Sequence, residues 1–183
     1  MRALIKSGVI IIIIWFVFIF FGSGAIHYGI HPRDIHSLKG IIFAPFIHAN
    51  LVHIVSNTVP LFVLTFLLAL IYKKQWFTIF MIISILAGIM VWLLARSSRF
   101  GNPVYHVGAS ITIFGLIAFF LTSGIVKRTF RDILISIIVG VTYGGALWGV
   151  LPTNPFISWE GHLFGAISGI FVAMLYKNEP KKK

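Results

Sequence analysis

The sequence predicts an all-α polytopic membrane protein, and three observations carry that expectation. Of 183 residues, 58% are hydrophobic and only 10% are charged, against roughly 25% charged in ordinary soluble domains. Stretches such as Val9–Phe21, Val59–Tyr72 and Ile133–Val141 are nearly free of charge, and the segments holding them approach the roughly 20 residues that cross a bilayer as helix. Charged and turn residues gather in the breaks between these segments. One compact helical membrane domain over residues 1–183 is therefore expected.

Six spans are predicted, at about 8–27, 49–72, 75–95, 108–126, 131–150 and 160–177. The first follows Arg2 and Lys6 and ends in "FGSGA", which also fits a signal peptide. Removing it would leave five spans and put one terminus on the wrong side for the lysine-rich tail "KNEPKKK", so a retained span is expected. The segment 28–47 is long for a connection between adjacent spans. Its alternation of apolar and polar residues predicts a partly structured piece at the membrane interface. The second span opens with "HANLVHIVSN" and ends before Lys73 and Lys74, where the third begins. The third stops at "ARSSRFGNP" and the fourth opens on "GAS". "KRTFRD" separates the fourth from the fifth, and "LPTNPFISWE" the fifth from the sixth, which reads "EGHLFGAISG".

Charge orients the spans. With a cytoplasmic N-terminus, Arg2, Lys6, Lys73, Lys74, Lys127, Arg128, Arg131, Lys177, Lys181, Lys182 and Lys183 face inward, against Arg33, Lys39, Arg96 and Arg99 outside. Both termini are thus expected to be cytoplasmic; a bacterial cytoplasmic membrane is the expected location, which charge by itself does not name. The net charge of +11 does not point to nucleic acid, because the basic residues sit at span ends and form no basic face. Absence of cysteine excludes disulfides, a thiol nucleophile and thiolate metal ligands. No cofactor is expected, and no metal, because catalytic metal sites usually combine three ligands at one point. A proton channel would need a polar path through the inner half of the bundle. There "LFVLTFLLALIY" offers only Thr65, and Tyr72 at its end.

Ionisable and polar groups at membrane depth are costly, which makes each one a candidate for function. His53 and Asn57, four residues apart, share one helical face. Alone, each reads first as a polar contact between helices. His48 lies just outside that span, with a capping or interfacial role equally open. Ser110 opens the fourth span behind Gly108 and Ala109, and alone reads as close packing or as an N-terminal cap. His162 shares a stripe with Gly165 and Gly169, and Gly161, Gly165 and Gly169 let a neighbouring backbone come close. Together the residues suggest more. Serine is a poor nucleophile until a base takes its proton, and neutral histidine is the usual base. His53, Asn57 and the Ser110 N–H can donate to a tetrahedral oxyanion. The chain has only four carboxylates, Asp34, Asp132, Glu160 and Glu179. None is expected beside His162, so a Ser-His dyad is predicted and not a triad.

These residues resemble the rhomboid family of intramembrane serine proteases. The likeness rests on "GIHPR" after the first span, "HANLVHIVSN" in the second, "GAS" opening the fourth and "GHLFGAISG" in the sixth. It implies a six-helix bundle with a short central fourth helix that begins at the floor of a water-filled cavity open to the outer side. It also implies Ser110 as nucleophile, His162 as base, His53 and Asn57 as the oxyanion-binding pair, and His48 and Gly108 as supporting residues. Phe114 matches an aromatic that packs on the histidine ring. The implied substrates are membrane proteins with transmembrane segments, met in the lipid bilayer. A relative that only binds such clients without cutting them is the alternative. Trp148 and "LPTNPFISW" are placed as gate and lid. Ile111 departs from the family's G-x-S-G, raising the expectation that its β-branched side chain crowds the substrate channel.

Overall fold

A computed structural model describes residues 1–154 and 156–177. The tail lysines 181–183 used for orientation lie outside the described residues. Among those residues, helices α1 (Arg2–Phe21), α2 (Gly40–Phe43), α3 (Leu51–Ile71), α4 (Trp76–Leu94), α5 (Ser110–Lys127), α6 (Phe130–Tyr143) and α7 (Trp159–Leu175) account for most of the chain. With the short α2 set aside, six helices fall where spans were predicted, with ends shifted by a few residues; among the described residues five helical segments are long and apolar enough to cross a membrane, and α7, at 17 residues, is shorter. Two ends change character. α1 passes into a 3-10 segment at Gly22–Tyr28, and α6 passes into another at Gly144–Val150, where Gly144 and Gly145 follow one another. Glycine weakens an α-helix by roughly 1 kcal/mol relative to alanine, so the glycine pair marks where α6 gives way.

α5 lies at the centre. Every residue from Ser110 to Phe120 is buried, which explains why this span is apolar all round instead of amphipathic. At 18 residues it is shorter than α1, α3 and α4. Its main neighbour is α7, and the glycine stripe of α7 is what brings the two together. A Cβ on Gly165 would run into the carbonyl of Ile111, and one on Gly169 into the carbonyl of Gly115. α4 also packs on both helices, and Thr112 of α5 shares a 2.8 Å hydrogen bond with Ser84 of α4. α1 rests on α3, where Trp15 Nε1 donates to Thr58 Oγ1 at 3.0 Å. α6 packs chiefly on α5, so most of its surface faces outward, as a lipid-contacting span requires.

The two ends of the bundle differ. At one, Lys6 Nζ donates to the Lys73 carbonyl at 2.7 Å and Lys127 Nζ to the Tyr72 hydroxyl at 2.8 Å. At the other, the segment predicted to be partly structured forms 3-10 turns at Ile35–Ser37 and Ala44–Phe46 around α2. There Arg33 donates to the carbonyls of Leu93 and Ala95 at 3.2 and 2.8 Å. Those carbonyls end α4 and have no helical partner of their own, so the arginine of "GIHPR" closes that helix. A small hairpin, β1 (Ser98–Arg99) and β2 (Asn102–Pro103), follows. The chain then runs inward through His106, fully buried and paired with Ile30 in a β-bridge, to reach Ser110.

Candidate active site

Asn50 sets up one wall of the site. Its side chain accepts the His53 N–H at 2.8 Å, capping α3, and such a cap contributes about 1 kcal/mol to a helix. With the helix start fixed, His53 and Asn57 face the same space one turn apart. Gly108 closes this wall. Its φ of +113° is open to glycine and strained for other residues, and its N–H donates to Ala44 O at 2.9 Å. A Cβ there would sit 2.5 Å from the His53 ring. His48, just before α3, accepts the Ala109 N–H on Nε2 at 3.4 Å and meets the His53 ring edge-on. Burial, with His53 beside it, holds the His48 imidazole down to about 4, so it is neutral at physiological pH. It tethers the residue that precedes Ser110.

The opposite wall is α7. His162 Nε2 lies 3.0 Å from Ser110 Oγ, while Nδ1 lies 3.0 Å from the carbonyl oxygen of Gly149. Phe114, one turn along α5 from Ser110, stacks on the imidazole with ring centroids 4.0 Å apart and planes 5° from parallel. Serine and histidine, 52 positions apart in the sequence, are brought together by the α5–α7 contact, so the close packing of Gly165 and Gly169 is what brings the two side chains within reach.

These groups line a cavity of about 630 Å³. Ser110, His162, His53 and Asn57 line it, together with Arg99, Tyr105 and Phe156. Asn57 is 6% exposed, and its Nδ2 makes no hydrogen bond within the chain. A buried donor without a partner is disfavoured by roughly 1–3 kcal/mol, which suits an atom reserved for a ligand.

Ile111 does not crowd this cavity. It is 1% exposed, and its side chain points at α7, where a Cβ on Gly161 would come within 3.0 Å of it. In an α-helix the residue after the serine is turned about 100° away, so the departure from the family pattern is absorbed in the helix interface.

Some contributors have no counterpart in the sequence reading. His106 Nδ1 bonds Ser158 Oγ at 2.6 Å and its Nε2 donates to the Arg96 carbonyl at 3.0 Å. Arg96 donates to Ile157 O at 2.7 Å and pairs with the buried Glu160 at 3.2 Å. Together these contacts fasten the inward-running loop to the first turn of α7, where the Ser158 carbonyl accepts the His162 N–H. The sequence signal was a histidine four residues before Ser110 and a carboxylate two residues before His162 in the chain. Gly149 acts through its backbone, which leaves no side-chain signature.

Residues 36–179 match the Rhomboid domain family. Uncharacterized proteins of Mycobacterium tuberculosis and Mycobacterium bovis are each 40% identical over 158 residues, covering 85% of this chain and 65% of their own length. The chain thus spans about 65% of these relatives. A putative rhomboid protein of Acanthamoeba polyphaga mimivirus is 31% identical over 134 residues, 72% of this chain and 71% of that protein. With the family match running from the segment before α2 past the end of α7, this integral membrane protein belongs to the rhomboid family.

Proposed function

We propose that this chain is an intramembrane serine endopeptidase that hydrolyses peptide bonds within or next to the membrane-spanning segments of other proteins. The observation that carries the reading is the 3.0 Å contact between Ser110 Oγ and His162 Nε2 in the wall of a cavity that is also lined by the unpaired amide donor of Asn57. Ser110 Oγ attacks the substrate carbonyl carbon as His162 Nε2 takes its proton. The oxyanion accepts from Asn57 Nδ2, the His53 ring and the Ser110 N–H. His162 then passes the proton to the leaving amine, the C–N bond breaks, and an acyl-enzyme remains. Water attacks the ester with His162 again as base, releasing the second product and restoring Ser110. The cavity supplies that water, and non-helical backbone around it is tolerated at membrane depth because it lines a water-filled space. Lateral access beside α6 fits the packing, since α6 rests mainly on α5.

The test is fluorophosphonate labelling of the purified protein alongside cleavage of a transmembrane substrate. Wild type is expected to label and cleave, and Ser110→Ala and His162→Ala to do neither. Labelling that survives Ser110→Ala would overturn the nucleophile. A folded wild type that cuts none of several transmembrane substrates would favour the client-binding alternative.

A further inference from the structure

We propose that the main-chain carbonyl of Gly149 is the positioning group for His162, filling with a peptide oxygen the role that a carboxylate fills in a catalytic triad. The inference rests on the Ser-His reading above for its role in catalysis, while the geometry stands by itself. A carbonyl only accepts hydrogen bonds, so the 3.0 Å contact from Gly149 O to His162 Nδ1 puts the imidazole proton on Nδ1. Nε2 is left with its lone pair directed at Ser110 Oγ, 3.0 Å away, and this is the one neutral tautomer that can take the serine proton.

The described carboxylates are engaged elsewhere. Asp34 Oδ1 accepts the His36 N–H at 2.9 Å, Asp132 pairs with Arg131 at 3.2 Å, and Glu160 pairs with Arg96 at 3.2 Å. Phe114, stacked on the ring face, leaves the imidazole free only to turn within its own plane. The two in-plane bonds, to Gly149 O and to Ser110 Oγ, stop that turn as well. Space around the carbonyl is fitted to this arrangement, because a Cβ on Gly149 would lie 3.0 Å from Phe114 Cζ and 3.1 Å from His162 Nδ1. Only glycine lets the peptide approach without displacing one of them.

The carrier of this carbonyl matters too. Gly149 sits in the 3-10 segment Gly144–Val150 that continues α6, and the neighbouring Trp148 is 74% exposed. This arm packs on α6 and α7. The base is thus oriented only while the arm lies against α7. A neutral carbonyl stabilises an imidazolium less than a carboxylate does, since hydrogen bonds with one ionised partner are weaker than those with two.

The experiment weakens the acceptor without altering a side chain. In the full chain, Val150 is replaced by its α-hydroxy acid, which turns the Gly149–Val150 amide into an ester and makes the Gly149 oxygen a poorer acceptor. The control is the same replacement at Leu151, which removes the N–H that donates to Trp148 O at 3.1 Å and leaves Gly149 alone. Two readouts are taken: kcat and KM on a transmembrane substrate, and the 15N shifts of the His162 imidazole, assigned by difference from His162→Gln. The Val150 ester is expected to lower kcat about tenfold, short of the roughly 10²–10⁴-fold that a positioned base contributes in full, with KM unchanged. Its His162 is expected to change from a single Nδ1–H tautomer to a mixture, and the Leu151 ester is expected to match wild type in both. A Val150 ester with wild-type kcat and an intact Nδ1–H tautomer overturns the proposal, as does an Nε2–H tautomer in the wild type. If the wild type cleaves nothing, the protease reading fails while the tautomer readout still decides whether Gly149 orients His162.

Discussion

At the scale of single residues, Asn57 separates a catalytic site from a polar packing contact. A side chain that joins helices has its donors satisfied, and its removal destabilises the fold. Asn57 Nδ2 is buried and unpaired, so truncation removes a desolvation penalty along with any contact the side chain makes. Asn57→Ala is therefore expected to keep or raise the melting temperature in detergent while kcat on a transmembrane substrate falls about 10²-fold, the usual loss for one oxyanion donor. A variant with lowered stability and unchanged kcat would return Asn57 to a structural role. The sequence could pair Asn57 with His53 by helical period. It could not tell whether either donor was already occupied, because that depends on a neighbour more than 40 residues away. Ile111 shows the same limit. Its identity suggested a crowded channel, yet the direction of its side chain depends on where α7 lies.

At the scale of elements, the interface of α5 and α7 and the loop leading to Ser110 decide whether the site exists. The glycine stripe was legible, since "EGHLFGAISG" carries its spacing in plain view, but its depth was not. Gly165→Ala forces a methyl group against the Ile111 carbonyl, and backbone cannot give way as a flexible side chain can. Overpacking of this kind typically costs about 1–3 kcal/mol. The helices are expected to separate, with activity lost together with thermal stability. Gly8→Ala, where a Cβ meets nothing within 4 Å, is the matched control and is expected to behave as wild type. The loop brings a pH dependence. Burial, the largest influence, holds the His106 imidazole below its ordinary value of 6.5, with the neighbouring Arg96 and His31 acting in the same direction and the Arg96 carbonyl and Glu160 opposing. The unfolded chain therefore takes up this proton first as the pH falls. Stability is intact above about 6.5 and declines below it, toward the depressed folded-state value. His48 contributes with the same sign. Melting temperatures measured from pH 8 to pH 5 are expected to fall at the acid end, and less steeply in His106→Gln. An equal fall in both would mean that His106 binds its proton alike in the folded and unfolded chain. No motif advertised this loop, because its hydrogen bonds run to carbonyls and to Ser158 and leave no spacing rule behind.

For the whole molecule, the spans were legible because lipid imposes a length and a composition that can be counted. Their arrangement was not, since hydropathy does not say which helix occupies the centre. The arrangement now bears on orientation. Folding gathers Lys6, Lys73 and Lys127 at one end, where Lys6 and Lys127 donate to Lys73 O and the Tyr72 hydroxyl. Arg96, Arg99 and the cavity fall at the other. Basic residues near span ends are retained on the cytoplasmic side, so the cavity is expected to open away from the cytoplasm. The absence of cysteine makes a clean measurement possible. Single cysteines in place of Lys74 and Phe100, both exposed and at opposite ends, can be treated in intact bacterial cells with a membrane-impermeant maleimide. Phe100→Cys is expected to react in intact cells, and Lys74→Cys only after the membrane is opened. The opposite pattern would reverse the orientation, and the cavity with Ser110 and His162 would then receive its water from the cytoplasm. The chemistry of the site would be unchanged by such a reversal. The population of membrane proteins able to present an unwound segment to it would not, because the segment would have to be exposed on the other face.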